Sequence, residues 1–263
     1  MKEFEFYSKE EVEEMKKNYQ PFEGYKCGLD NFDKLYRIDI QTLTTLVAVP
    51  SNGKSTFVNY YSYLMNQQHG WKTLFWVAET PTNKQYHYMT THYKGDTKKT
   101  AENVLITKTK LETWDDIKDM IRYASTVHKV KLIVLDNFTC LKRFFNESID
   151  FSTIDKKISE LVDLAKETET AILLIAHPKM LTKNDYKIDG YSVKGSTGFY
   201  DMSDYMFTLS ADKKKKITTI DVLKIRDDDK GTEGKCYLKF NPIDKSYHDM
   251  TDKEINDMDD VPF

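Results

Sequence analysis

Apolar and polar positions along the chain follow two periods. Residues 43–49, 73–77, 131–135, 171–176 and 205–209 are continuous apolar or β-branched runs, which predict strands. Between them, residues 56–68, 113–128 and 153–166 repeat apolar side chains every three to four positions, which predicts helices. Leu132 to Leu135 and Ile172 to Ile175 are apolar at consecutive positions, the pattern of central parallel strands covered on both faces. Strand, helix, strand in succession implies right-handed crossovers. The pattern changes in the last third, where residues 218–226 and 235–240 flank a polar, glycine-containing stretch and predict an antiparallel hairpin at the sheet edge. The predicted fold class is therefore α/β: a mainly parallel twisted sheet, helices on both faces, and a C-terminal antiparallel hairpin. Ahead of it, Ser8-Lys-Glu-Glu11 has a capping-box pattern and predicts a short helix to about Lys17.

Composition narrows the class. In 263 residues, 40% are hydrophobic and Gly and Pro number only 10 and 6, so the chain has core material and no low-complexity character. No apolar run reaches the roughly 20 residues of a membrane span, and the first residues lack a signal-peptide core, so no membrane is expected. Cys27, Cys140 and Cys236 are scattered and never form a CxxC pair, which argues against a disulfide framework or zinc site and for a reduced, cytoplasmic setting. The net charge of −3 is uneven: residues 249–263 hold six acids against one lysine, which leaves residues 1–248 at +2. A mildly basic body permits an anionic partner, and the acidic end is expected to be a disordered tail.

The chemistry concentrates after the first predicted strand. Ala48-Val-Pro50-Ser51-Asn52-Gly53-Lys54-Ser55 matches the phosphate-loop pattern G-x-x-x-x-G-K-[ST] except at its first position, and it sits between a strand and a helix, the context this motif requires. Gly53 allows a close turn at the phosphates, and amides from Ser51 to Thr56 donate to them. Lys54 reaches the β and γ oxygens, and Ser55 ligates Mg²⁺. Asp136 ends a second buried run, where a phosphate-loop ATPase holds its metal and the metal's water shell. Glu79 ends the strand after the phosphate-loop helix and is the candidate base for water, with Lys54 and Asp136 completing an ATP and Mg²⁺ site. His87 and His92 have neither the spacing nor the Glu of a zinc helix.

Together these motifs resemble the RecA-like motor domain of hexameric replicative DNA helicases, the DnaB and Twinkle group of superfamily four, in its phage form. The resemblance runs from Gly28 to about Tyr247. Gly28-Leu-Asp30 is similar to the family's opening segment, Trp76-Val-Ala-Glu79 to its catalytic-Glu strand, and Leu-Ile-Ala-His177-Pro-Lys179 to the Twinkle form of its sensor motif. Lys194-Gly195-Ser-Thr-Gly198 with Asp204 is similar to its DNA-loop motif, although Asp201 stands where Gln is common. Lys224-Ile-Arg226, followed by Gly231 and Gly234, looks like the element that carries a trans-acting Lys and Arg.

That resemblance implies a P-loop NTPase core over residues 28–248, preceded by a subunit-contact helix or linker at 1–27 and followed by the acidic tail at 249–263. It implies a hexamer in which Lys224 and Arg226 reach a neighbour's ATP, and in which His177 senses the γ-phosphate. Single-stranded DNA would meet loops carrying Lys142, Arg143, Lys179, Lys183, Lys194 and Gly195, giving salt-dependent binding without base readout. Tyr247 is assigned either to stacking on the nucleotide base or to the core. Phe263 at the acidic tip resembles the tails through which single-strand binding proteins recruit replication partners. The implied activity is ATP-dependent translocation on single-stranded DNA with duplex unwinding, in the host cytoplasm. The alternatives are a RecA/RadA-type recombinase ATPase and a nucleotide-gated DNA-binding or loading protein that scarcely hydrolyses.

Overall fold

A computed structural model describes residues 3–179, 189–193 and 197–259. Nine strands among them form one sheet in the order β3-β2-β4-β5-β1-β6-β7-β8-β9. The strands are β1 (Thr42–Val47), β2 (Lys72–Val77), β3 (Val104–Leu105), β4 (Val130–Asp136), β5 (Ala171–Ala176), β6 (Tyr205–Asp212), β7 (Ile217–Ile225), β8 (Gly234–Phe240) and β9 (Tyr247–Asp249). The run from β3 to β6 is parallel throughout, and β7 to β9 are added antiparallel beyond β6. β1 is central, paired from Thr42 with Ala171 of β5 and from Thr44 with Tyr205 of β6.

The consecutive apolar runs do what their pattern predicts. Along β4, Leu132 and Val134 enter the core layer shared with helix α3 (Lys54–His69), whereas Ile133 and Leu135 enter the opposite layer with α6 (Trp114–His128) and α8 (Phe151–Thr168). Alternation buries both sets because helices cover both faces. The helix starts are also local in origin. Thr113 and Asp116 form a reciprocal capping box at α6, and Asp150 accepts from the Thr153 amide at 2.7 Å to open α8. Ser8 and Glu11 form the expected box at α1 (Lys9–Asn18), which buries none of its residues.

Several elements depart from the pattern. Helices α4 (Thr82–His92) and α5 (Thr97–Asn103) and the two-residue β3 stand where no element is predicted. Residues 22–27, placed in the linker, join the body instead: Tyr25 bridges Ile38, its ring contacts Trp71, and Cys27 is buried. The acidic end is likewise ordered further than expected. Asp249 accepts from the amides of Asp30 and Asn31 at the start of α2 (Asp30–Asp33), at 2.7 and 2.9 Å. Thr251 and Glu254 then cap α10 (Asp252–Asp259) with reciprocal bonds, and Glu254 pairs with Lys239 at 2.9 Å. The cause is a Thr-x-x-Glu box at the head of the acidic stretch, which converts its first half into a helix and so overturns the expectation of disorder from residue 249. Phe263 lies outside the described residues.

Candidate functional site: a phosphate loop beside two strand-end carboxylates

The phosphate loop links the end of β1 to α3. Gly53 caps the helix in the left-handed region at φ 84°, and its carbonyl accepts from the amide of Phe57. A side chain here would be strained whatever the space, so the steric demand of the turn falls on Gly53. Ala48 does not share that demand: it is fully buried in the core layer of α3 and has no positive φ, so a methyl group fits where the motif has glycine. Ser51 does take a positive φ, 66°. Beyond Gly53, the unpaired amides at the start of α3 face the cleft, where the helix dipole favours an anion.

Lys54 is only 8% exposed, and Ser55 Oγ donates to Asp136 Oδ2 at 3.0 Å. Burial raises the Asp136 carboxyl above its ordinary range, and the charge of Lys54 opposes that rise. This hydroxyl and carboxylate at the head of a glycine-turned helix are the donor set that suits Mg²⁺ with a nucleotide triphosphate. Glu79 stands just past β2, the strand beside β4, and its Oε1 accepts from Asn137 Nδ2 at 2.8 Å. His177 follows β5, on the other side of β4, with Nδ1 3.3 Å from the Ala48 carbonyl. Adjacent strand ends thus bring Glu79, Asp136 and His177 together with the loop, as their places in the sequence predict.

A cleft of about 700 Å³ opens from Gly53, Lys54 and Ser55. Its walls include residues that sequence reasoning passed over. Lys84, Tyr88 and His92 come from one face of α4 at four-residue spacing, and Lys213, Lys216 and Lys245 come from the turns that follow β6 and β8. The Lys213–Lys216 run is indeed a turn between β6 and β7, but the fold-back carries it to the phosphate loop. Tyr247 lines the same cleft beside Gly53, with its ring packed in the core. It is 2% exposed, with Phe57, Tyr60 and Phe240 around its ring at centroid distances of 5.4, 5.9 and 5.1 Å. Of its two assignments, the structure shows the core packing.

Lys224 lies in β7 and Arg226 one residue beyond it, and both point to one side, as their spacing predicts. In this chain they cap α9 (Gly198–Met202). Lys224 Nζ donates to the carbonyls of Tyr200 and Asp201 at 2.5 and 3.1 Å, and Arg226 Nη2 donates to that of Asp201 at 3.0 Å. Cations at a helix C-terminus satisfy carbonyls left without partners. Desolvation beneath Tyr200, with Arg226 adjoining, lowers the Lys224 ammonium below the ordinary lysine range.

Of the two candidate DNA loops, the described residues take definite shapes. The first begins as α7 (Phe138–Leu141) and a 3₁₀ turn, Lys142–Phe144, rather than as an open loop, because Phe144 is buried against Trp76, Phe145 against Trp114, and Phe138 against Phe145 and Phe199. Lys142 lies over the Phe138 ring at 5.5 Å and Arg143 over the Phe144 ring at 4.7 Å. In the second, a bridge between Pro178 and Val193 closes the base, and Lys179 Nζ donates to the Tyr191 carbonyl at 3.2 Å. Lys183, Lys194 and Gly195 lie outside the described residues. No helix among the described residues is long and apolar enough to cross a membrane.

Residues 10–182 match the family model described as AAA domain. Two solved structures share the fold. One, the ATPase domain of another protein, aligns at a TM-score of 0.72 and 14% identity, covering 91% of this chain and 96% of that one. The other, a DnaB-like replicative helicase solved with attention to its interactions with primase, aligns at 0.73 and 15% identity, covering 91% of this chain and 66% of that one. No curated protein matches the sequence.

Proposed function

Since the chain belongs to the AAA domain family, with the fold of DnaB-like helicase ATPase domains, we propose that it is the ATP-hydrolysing motor of a replicative DNA helicase. In this reading it assembles as a hexamer, moves along single-stranded DNA and parts the duplex ahead of it. The observation that carries the proposal is the pairing of Asp136 with Ser55 at the head of the phosphate-loop helix, with Glu79 on the neighbouring strand. A carboxylate on that separate strand is free to act as base while Asp136 serves the metal.

Bound Mg²⁺ and ATP supply the transferable phosphoryl group and its charge neutralisation. Lys54 stabilises charge on the phosphate oxygens, Ser55 and Asp136 hold the ion and its water shell, and Glu79 accepts the proton of the attacking water. His177 links the γ-phosphate side to the second DNA loop through the segment that starts at Pro178. Lys224 and Arg226 leave the end of α9 to complete the neighbour's site, and α1, with Val12 and Met15 exposed, docks on that neighbour. Lys142, Arg143, Lys179, Lys183, Lys194 and Gly195 line the pore, and Phe263 recruits a replication partner.

Phosphate release with and without single-stranded DNA tests the motor, and unwinding of a fork that lacks a homologous partner strand separates it from a recombinase. Stimulated release, abolished in Lys54→Ala and Glu79→Gln, is the expected result. Absent turnover in the intact protein favours a nucleotide-gated loading protein instead.

A further inference from the structure

Tyr191 and Tyr200 form a ring pair at the second candidate DNA loop, with centroids 4.9 Å apart and planes tilted by 46°. Each partner is fixed by its own contacts. Asp189 Oδ1 accepts from the Tyr191 amide at 3.0 Å and from Ser192 Oγ at 2.5 Å, and the Lys179 amide donates to the Ser192 carbonyl at 2.6 Å, so Tyr191 rides on a closed turn. Tyr200 belongs to α9, and Lys224 Nζ both lies 5.1 Å from its ring centroid and donates to its carbonyl. Gly190 lies so close to the Tyr200 ring that a Cβ there would overlap it, and the missing side chain is what lets the turn approach. Although held in this way, Tyr191 is 50% exposed.

We propose that Tyr191 is a base-stacking residue: a nucleobase of single-stranded DNA packs on its exposed ring, with the Tyr191–Tyr200 pair as the platform. The inference rests on the motor reading above and adds a contact that phosphate-neutralising lysines do not make. Every base has a π-face, so a ring offered to solvent accepts any of the four, and the contact carries no sequence preference that would stall a translocating motor. The neighbouring charge fits the same ligand. Lys179 Nζ donates to the Tyr191 carbonyl at 3.2 Å, which uses one of three ammonium donors and places a cation beside the ring, so the base and phosphate of a nucleotide meet adjoining groups. The acid of this turn, Asp189, is engaged within it by the Tyr191 amide and the Ser192 hydroxyl. A ring already held by a turn and by a second ring loses little freedom on binding, which favours stacking here.

The test is binding of single-stranded DNA by the intact protein with a non-hydrolysable ATP analogue, followed by anisotropy. Two labelled probes of equal length are compared: oligo(dT), and an abasic strand that keeps the phosphates and lacks the bases. The wild type is expected to favour oligo(dT) by about tenfold, within the range for a base stacked on an aromatic ring. Tyr191→Phe keeps the ring and should retain that ratio. Tyr191→Leu keeps apolar bulk without a π-face, so its ratio should fall towards one, with the affinity for the abasic strand and the salt slope unchanged. A wild-type ratio in Tyr191→Leu, or affinities for both probes that fall in equal proportion, overturns the inference. So does a wild type that binds the two probes equally, which leaves the motor reading standing. A wild type that binds neither probe overturns single-stranded DNA as the partner, and the inference with it.

Discussion

Arg226 Nη1 meets Asp204 Oδ1 at 3.2 Å, while the other oxygen of that carboxylate accepts from the Leu43 amide at 2.9 Å, at the start of the central strand. One Asp therefore ties the candidate trans-acting Arg to the strand that feeds the phosphate loop. Arg226→Ala is expected to lower turnover of the assembled ring by about 10³ or more, the measured worth of an arginine finger. Mixing Arg226→Ala with Glu79→Gln subunits should restore part of the activity, because each supplies what the other lacks. Asp204→Asn should instead reduce stability by about 1 to 3 kcal/mol in urea titration, through its bond to a buried amide.

Glu79 and Lys54 separate chemistry from binding. Glu79→Gln should retain the nucleotide with little change in Kd, measured by fluorescent-analogue titration, and lose about 10² to 10⁴ in kcat. Lys54→Ala should weaken the binding itself.

His92 sits between α3 and the cleft, against the rings of Tyr60 and Tyr63, and burial holds it at about 4, with Asp244 pulling the other way. The unfolded chain takes up a proton near pH 6.5, whereas the folded ring remains neutral down to about 4. Stability is therefore full above that upper value and falls on acidification through the window, by about 2 to 3 kcal/mol. His92→Phe keeps the stacking and should flatten this loss, as read from urea midpoints at neutral and acid pH.

Gly231 faces the backbone of the 35–36 segment so closely that a Cβ would stand 2.1 Å from the Leu35 carbonyl oxygen. Gly231→Ala should cost about 2 kcal/mol or more, because backbone has to move. Gly70→Ala, with a φ of 68° but open space around it, should cost only about 1 kcal/mol.

Lys142 and Arg143 offer a salt-dependent readout. If they neutralise DNA phosphates, replacing both by Ala reduces the slope of log affinity against log salt by about 0.7 for each phosphate no longer neutralised, on single strands. Anisotropy titrations across a salt series measure it.

The strands of the parallel sheet were legible because burial on both faces leaves no polar position to interrupt them, as in residues 132–135. Helix α4 was not legible for the opposite reason. Its Lys84–Tyr88–His92 face lines a polar cleft, so the apolar stripe that marks a surface helix is missing. Lys213 to Lys216 read as a solvated turn because only the pairing of β6 with β7, set by contacts far along the chain, brings that turn over Gly53. Thr251 and Glu254 were readable as a capping box, but the surrounding acids outweighed them. Asn137 carries no signal of its own in the sequence, because its partner Glu79, 58 positions away, reaches it only when the two strands lie side by side.

The position of β1 has a consequence for biosynthesis. Its two hydrogen-bonding neighbours begin at Ala171 and Tyr205, although β1 itself starts at Thr42. A nascent chain emerging from the ribosome thus carries its phosphate loop through the synthesis of every intervening element with neither flank of the supporting strand in existence. Closing such distant pairs is slow and leaves apolar strands open to aggregation meanwhile. ATP cannot template the early stages of this fold; it finds a receptor only once β5 and β6 have been made.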